Sequence, residues 1–119
     1  NRAHFFGAAS EAIRRILIDR ARKRQTQKHG GTMQRVELDD QIEAPMRDER
    51  LLKLDAALTQ LESEDAQKAE LVKLRYFGGL TIKEAAEILN ISTSTADRSW
   101  SYARTWLLRE ITAPGRRAA

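Results

Sequence analysis

The chain has 119 residues, no cysteine and a formal net charge of +4 at pH 7. That length allows one modest domain with an appended segment, and the lack of cysteine excludes disulfides and thiolate metal sites. No apolar run reaches membrane-spanning length and no secretory signal is present, so we expect a cytoplasmic protein without a membrane partner. A composition dominated by Leu, Ala, Arg and Glu predicts an all-α fold.

Charge is segregated along the chain. Residues 1–30 hold eight cations against two acids, whereas residues 48–112 hold nine cations against eleven acids. The N-terminal segment should therefore attract a polyanion, while the second half must rely on the local placement of its charges.

Residues 4–25 are predicted to form one long helix. Apolar side chains recur along it at three- and four-residue steps and trace a stripe that ends in an arginine: Phe5, Ala8, Ala9, Ala12, Ile13, Ile16, Leu17 and Arg20. An exposed stripe of this length invites association, so the helix should either fold back on the chain or self-associate. Its basic residues are candidates for phosphate contacts: Arg14, Arg15, Arg20, Arg22, Lys23 and Arg24.

A flexible linker is predicted over residues 28–47, where Gly30, Gly31 and Pro45 interrupt a segment of mixed charge. A compact domain should follow over residues 48–112, and residues 113–119 should be a disordered tail.

The first helix of this domain should end near Glu62, with Ser63 and Asp65 as candidate caps of the next helix. Gly78 and Gly79 should stop that second helix. Its core contacts are predicted to come from Ala69, Val72, Leu74, Tyr76 and Phe77.

Residues 80–107, LTIKEAAEILNISTSTADRSWSYARTWL, have the pattern of a helix-turn-helix. Thr81 is a candidate cap for a short helix, Asn90 suits the left-handed backbone of a sharp turn, and Ser92 is a candidate cap for a second helix. Ile91 should be a buried plug between the two helices. The second helix turns apolar side chains inward at three- and four-residue steps: Ala96, Trp100, Ala103, Trp106 and Leu107.

The opposite side of the second helix carries hydroxyls, cations and a phenol, which suit phosphates and base edges in a major groove. Ser94, Thr95, Arg98 and Ser99 should approach bases. Together with the start of the preceding helix, this side supplies the candidate DNA-binding residues Thr81, Lys83, Thr93, Ser94, Thr95, Asp97, Arg98, Ser99, Tyr102 and Arg104. An ordinary helical hairpin with a polar outer side is the alternative interpretation, and for Lys83 the alternative is a solvated charge.

These segments resemble a sigma factor of the extracytoplasmic-function group, within the sigma-70 family. Residues 4–24, HFFGAASEAIRRILIDRARKR, are similar to the last helix of the second sigma domain, and residues 54–111 are similar to the fourth domain. The resemblance implies that residues 1–27 are the C-terminal helix of a truncated second domain, which helps to open and read the minus-10 element. It implies that residues 48–112 bind the minus-35 element of a promoter. Because the chain begins with Asn1 and lacks the earlier helices of that second domain, we expect a fragment.

Promoter DNA and core RNA polymerase are the partners that the resemblance implies, with an anti-sigma factor as a further one. Relatives often carry a basic residue where this chain has Asp97. Three roles stay open for that carboxylate: accepting a hydrogen bond from cytosine, orienting Arg98, or capping a neighbouring charge.

Two other functions stay open as well. One is a dimeric helix-turn-helix regulator of the response-regulator type, which would prefer palindromic sites. The other is a protein-interaction module, engaged by polymerase or an anti-sigma factor, in which DNA binding is secondary. An enzyme is not expected, because no carboxylate pair, Ser-His or Cys-His set or phosphate loop is apparent. No cofactor or metal is expected either, since His4 and His29 lie far apart.

Overall fold

The structure, a computed structural model, describes residues 1–30 and 47–112. Within those residues it contains helices and no strand, which confirms the all-α prediction. Helix α1 extends to Gly30, so residues 28–30 of the predicted linker are helical. Residues 31–46 of the predicted linker and the whole predicted tail lie outside the described residues. The helices are α1 (Arg2–Gly30), α2 (Asp48–Glu64), α3 (Ala66–Val72), a π-helical turn (Lys73–Phe77) that continues α3, α4 (Ile82–Leu89) and α5 (Thr93–Thr112).

The main core lies where α2, α3 and α5 meet. The predicted inner face of α2 is buried in full: Leu51, Leu54, Ala57, Leu58 and Leu61. A second, smaller cluster under α4 consists of Leu71, Leu74 and Ala85. Trp100 of α5 packs against both clusters and so joins the two parts of the core.

The π-helical turn changes which side chains face the core. The amide of Gly78 donates to the carbonyl of Lys73 at 3.0 Å, five residues back rather than four. The extra residue in the turn rotates the register, so that Leu74 and Phe77 are buried while Tyr76 is 42% exposed. The prediction that Tyr76 supplies a core contact is therefore wrong.

The two glycines after the turn end the helix, as predicted, and Gly79 has a φ of 72°. Gly78 has a second role that the sequence did not reveal. A Cβ atom at Gly78 would lie 2.6 Å from both the Ser10 Oγ and the Leu74 carbonyl oxygen. Gly78 therefore permits the close approach of α1 to this turn.

Only one of the two candidate caps of α3 acts as one. Asp65 accepts a hydrogen bond from the Lys68 amide at 3.2 Å, whereas the Ser63 hydroxyl donates back to the Gln60 carbonyl at 2.8 Å. Asp65 also pairs with the Lys68 ammonium, and these hydrogen bonds lower the pKa of its carboxyl group.

Helix α1 folds back on the domain through a face other than its apolar stripe. The buried residues are Ser10, Arg14, Ile18 and Ala21. Most of the stripe faces away from the domain, with Phe5 63%, Ile13 39% and Ile16 53% exposed. Leu17, at its edge, is half-buried against the main core. The charged residue Arg14 therefore lies at the centre of the packed face, and its acidic partners on α2 explain why α1 packs through this face.

Candidate nucleic-acid interface

The first helix of the candidate interface, α4, begins with a reciprocal cap. The Thr81 hydroxyl accepts a hydrogen bond from the Glu84 amide at 3.0 Å, and the Glu84 carboxylate accepts one from the Thr81 amide at 2.9 Å. The predicted cap at Thr81 is thus confirmed. Because the hydroxyl accepts this bond, its own hydrogen is still available for a phosphate oxygen.

The turn between α4 and α5 is fixed by three residues. Asn90 has φ 59° and ψ 47°, the left-handed conformation predicted for it. The Ile91 amide donates to the Ala86 carbonyl at 3.0 Å, and its side chain is half-buried rather than fully enclosed. Ser92 accepts a hydrogen bond from the Thr95 amide at 3.0 Å and therefore caps α5 as predicted.

Small side chains allow α4 and α5 to pack closely. Ala85 and Ala86 of α4 are buried, and so are Ala96 and Ala103 of α5. A larger residue at Ala86 or Ala96, on either side of the turn, would push the two helices apart. The close packing determines how α5 is oriented relative to the start of α4.

The outward side of α5 carries most of the predicted DNA-binding residues. Arg98 is exposed, as are Thr93, Ser94, Asp97, Tyr102 and Arg104. Thr95 and Ser99 are half-buried at the edges of this side, and the Thr95 hydroxyl already accepts a hydrogen bond from Ser92 at 3.0 Å. Thr81 and Lys83 are exposed at the start of α4, so all ten residues reach the surface at least in part.

Two further residues belong to this outward side but were not among the predicted DNA-binding residues. Ser101 and Thr105 are exposed and follow Arg98 by three and seven residues. At 100° per residue, those steps place them on the same line as Ser94 and Arg98. That spacing was the signal that could have identified them.

The charged groups on α5 differ in what surrounds them. Tyr102 has the Lys68 ammonium 5.1 Å from the centre of its ring. No hydrogen bond or ion pair among the described residues involves Asp97 or Arg98. Neither side chain is therefore held by the protein, and both are available to an external partner.

The basic residues of α1 fall into two groups. Arg20, Arg22 and Lys23 are exposed, and the Arg15 side chain is 70% exposed with its guanidinium 4.0 Å from Glu11. Arg14 is buried, and Arg24 forms two hydrogen bonds to Asp48 at 2.9 and 3.0 Å. In this arrangement Arg14 is therefore bound by the protein's own acids and not open to DNA.

Arg14 is the centre of an ionic network between α1 and α2. Its guanidinium donates to the Asp55 carboxylate at 2.8 Å, to Glu62 at 3.2 Å and to the Thr59 hydroxyl at 3.0 Å. Burial by itself would lower the pKa of Arg14, but its hydrogen bond to Asp55 and the nearby carboxylates raise that pKa.

Lys73 of the π-helical turn completes the network. Its ammonium lies 2.7 Å from Glu62, 3.2 Å from Glu11 and 3.3 Å from Glu70. Burial lowers and these carboxylates raise the pKa of Lys73, with a net increase. For Glu62 desolvation raises the pKa, but the hydrogen bond from Lys73 and the two cations lower it overall.

Comparison with known proteins identifies the family. A family model described as ECF sigma factor matches residues 1–113, nearly the whole chain. The chain belongs to the ECF sigma factor family. Its role is therefore that of a sigma factor in transcription initiation, among DNA-binding regulators rather than enzymes. No curated protein and no solved structure matches the chain.

Members of this family bind core RNA polymerase and promoter DNA, and often an anti-sigma factor. None of the helices in the described part of this ECF sigma factor is long and apolar enough to cross a membrane. The same residues contain no cluster of three or more acidic or histidine side chains that would hold a metal ion.

Proposed function

We propose that α5 reads the minus-35 element of a promoter as part of a sigma factor that directs core RNA polymerase to its start sites. The observation that supports this most directly is the outward side of α5. It presents Ser94, Arg98, Ser101 and Thr105 in one line, beside a capped α4 start. Short hydroxyls around one arginine suit hydrogen bonding to base edges.

The N-terminal end of α5 enters the major groove in this proposal. Ser94 and Arg98 lie at the centre of the outward side, so they approach the bases, with Thr95 and Ser99 at its edges. Asp97 either accepts a hydrogen bond from cytosine or orients Arg98 once DNA is bound. Phosphates are contacted from the flanks by Thr81, Lys83, Thr93, Tyr102 and Arg104.

The exposed cations of α1 supply a second, less sequence-specific contact. Arg15, Arg20, Arg22 and Lys23 already face outward and would contact phosphates near the minus-10 element. Arg14 and Arg24 would join them only after α1 leaves the acids of α2. Residues 1–27 and 48–112 then act as parts of the second and fourth sigma domains, in the cytoplasm, with residues 28–47 as the linker and 113–119 as the tail.

Selection of duplexes from a random-sequence DNA pool tests this proposal, with and without core RNA polymerase. We expect one asymmetric sequence to be enriched, more strongly with polymerase present. Selection of palindromes by a dimer would favour the response-regulator alternative. Retention of polymerase or an anti-sigma factor without any enriched DNA would favour an interaction module.

Substitution of Arg98 then tests the contact at the centre of the interface. Arg98→Ala should weaken binding to the selected sequence by about 1–3 kcal/mol and relax the preference at one base pair. Arg50→Ala on α2 removes an equal charge from an exposed site outside α4 and α5 and serves as the control. An equal loss on every DNA sequence would make Arg98 a phosphate contact instead.

We also propose that α1 mediates self-association through its exposed apolar side chains. Phe5, Ile13 and Ile16 are exposed large apolar side chains of α1 outside its packed face. Sedimentation of the parent chain and of Ile16→Gln over a range of concentrations tests this proposal. The substitution should shift the equilibrium from dimer toward monomer. A concentration-independent monomer would exclude self-association through this stripe.

A further inference from the structure

Arg75 occupies an unusual position between the two helices of the candidate interface. It belongs to the π-helical turn that precedes α4, and its Nη1 donates to the Leu80 carbonyl at 3.1 Å, one residue before the Thr81 cap. The centre of its guanidinium lies 4.6 Å from the centre of the Trp100 ring, on α5. One side chain therefore contacts both the entry to α4 and the middle of α5.

The Arg75 guanidinium contacts the face of a tryptophan ring rather than a carboxylate. None of the ion pairs among the described residues involves Arg75, and its Nε is buried without a hydrogen-bond partner. A guanidinium over an indole face is attracted by the electron-rich ring, and more strongly when water is excluded. The planar guanidinium also fixes the orientation of the ring, which a flexible lysine ammonium does not do.

Trp100 transmits this contact to the DNA-facing end of α5. It packs against both core clusters and lies six residues, about 9 Å along the helix axis, from Ser94. A tilt of α5 by about 10° at Trp100 would thus move the Ser94 end by roughly 1.5 Å. A displacement of that size is enough to break a bidentate hydrogen bond between a side chain and a base.

We propose that Arg75 is a positioning residue for promoter recognition: through Trp100 and the Leu80 carbonyl it sets the angle at which α5 meets the groove. The inference rests on the proposed function, because it concerns how the same α5 side chains reach their bases. Arg75 itself does not contact a base. Its removal should lower sequence preference while leaving general attraction to DNA unchanged.

The competing explanation is that Arg75 contacts a DNA phosphate directly. Substitution by lysine distinguishes this explanation from the positioning role. Arg75→Lys keeps the positive charge but loses the planar stacking surface and the directed bond to Leu80. If charge alone matters, this variant behaves as the parent chain does. Positioning instead predicts a loss of sequence preference with an unchanged dependence of binding on salt concentration, because no phosphate contact is removed.

The experiment uses the whole chain and two DNA duplexes, the sequence enriched from a random pool and a scrambled version of it. Arg75→Lys and Trp100→Leu should each reduce the ratio of the two affinities about three- to tenfold. The double variant should lose little more than either single variant, because both substitutions break one contact. Arg109→Lys, at an exposed site in the last turn of α5, is the matched control and should leave the ratio unchanged.

Two readouts separate an effect on folding from an effect on DNA recognition. Circular dichroism and urea unfolding at neutral pH show whether each variant is folded, and Trp100→Phe supplies a milder change if Trp100→Leu is not. A folded Arg75→Lys chain with the parent's affinity ratio overturns the positioning role. Failure of the parent chain to enrich any sequence instead overturns the proposed function, and with it this inference.

Discussion

The contact between α4 and α5 is made by alanines and large apolar side chains, whereas α1 contacts α2 and the π-helical turn through an ionic network in addition to buried Ile18 and Ala21. Ala85 and Ala86 of α4 and Ala96 of α5 are buried in the first of these parts of the molecule. Arg14 and Lys73 each reach several carboxylates in the second. Apolar burial responds little to salt or pH, but ion pairs respond to both. We therefore expect the recognition unit, which is α4, α5 and the turn between them, to stay folded under conditions that weaken the docking of α1.

The exposed stripe of α1 strengthens this contrast. A helix that packs through Arg14 and leaves Phe5, Ile13 and Ile16 in water gains less from the hydrophobic effect than one packed the other way round. Its attachment therefore relies on the ionic network as well as on the burial of Ile18 and Ala21.

Truncation of the apolar core should have the largest effect and should affect the whole domain. Leu74 is fully buried in the cluster beneath α4, so Leu74→Ala should cost about 2–5 kcal/mol of unfolding free energy. Urea unfolding at low and at high salt measures it, and the loss should be the same in both. Leu108→Ala, at a residue 40% exposed, should cost far less. A salt-dependent loss at Leu74 would remove the distinction between the two contacts.

Acid should release α1 before it unfolds the rest. The folded-state pKa of Glu62 is lowered, so its stabilising contribution is complete above the unfolded pKa, about 4.3, and is lost as pH falls through the lower folded value. Protonation also leaves the buried Arg14 and Lys73 with fewer counter-charges. The pKa of Lys73 is raised, so its contribution persists until pH rises above about 10.

Hydrogen exchange measured from pH 6 down to pH 3 checks this order of events. Amides of α1 should lose their protection at a higher pH than amides of α2 and α5. Simultaneous loss of protection in all helices would show that the network holds the entire structure and not α1 alone.

Removal of the centre of the network should have a smaller and local effect. Arg14→Met keeps much of the apolar stem but leaves Asp55 and Glu62 without this cation, and should cost about 1–3 kcal/mol in α1 docking. The neighbouring Arg15 is 70% exposed, so Arg15→Met should change docking by less than about 0.5 kcal/mol. Protection of α1 amides measures both. Equal effects of the two substitutions would contradict a central role for Arg14.

Much of the recognition unit could be predicted from sequence because its signals are local. Thr81, Asn90 and Ser92 act on backbone groups within four residues, and the caps and the turn lie where these residue types predict them. The inner face of α2 follows from a regular helical period. Local chemistry of this kind needs no knowledge of the rest of the fold.

The misjudged features depend on distant partners or on a change of helical period. The packed face of α1 depends on Asp55 and Glu62, which lie 41 and 48 residues from Arg14 in sequence. An α-helical period predicted Tyr76 inside, but the π-helical turn rotated it outward. The Arg75–Trp100 contact combines both causes, since the turn aims the arginine and the partner lies on another helix.

The exposed pair of Arg24 and Asp48 should contribute least to stability and still matter for DNA. The Arg24 side chain is 56% exposed, so Arg24→Ala should change the unfolding free energy by about 0–0.5 kcal/mol, and by less in 1 M salt, where the Debye length is about 3 Å. If Arg24 contacts a phosphate, however, its removal should reduce the slope of log affinity against log salt concentration by about one. Arg22 is exposed on the same helix, and its substitution Arg22→Ala provides the comparison. If both variants change the salt slope equally, the ion pair between Arg24 and Asp48 opens when DNA binds. If only Arg22→Ala changes the slope, Arg24 stays paired with Asp48, and α1 binds DNA while it is docked on α2.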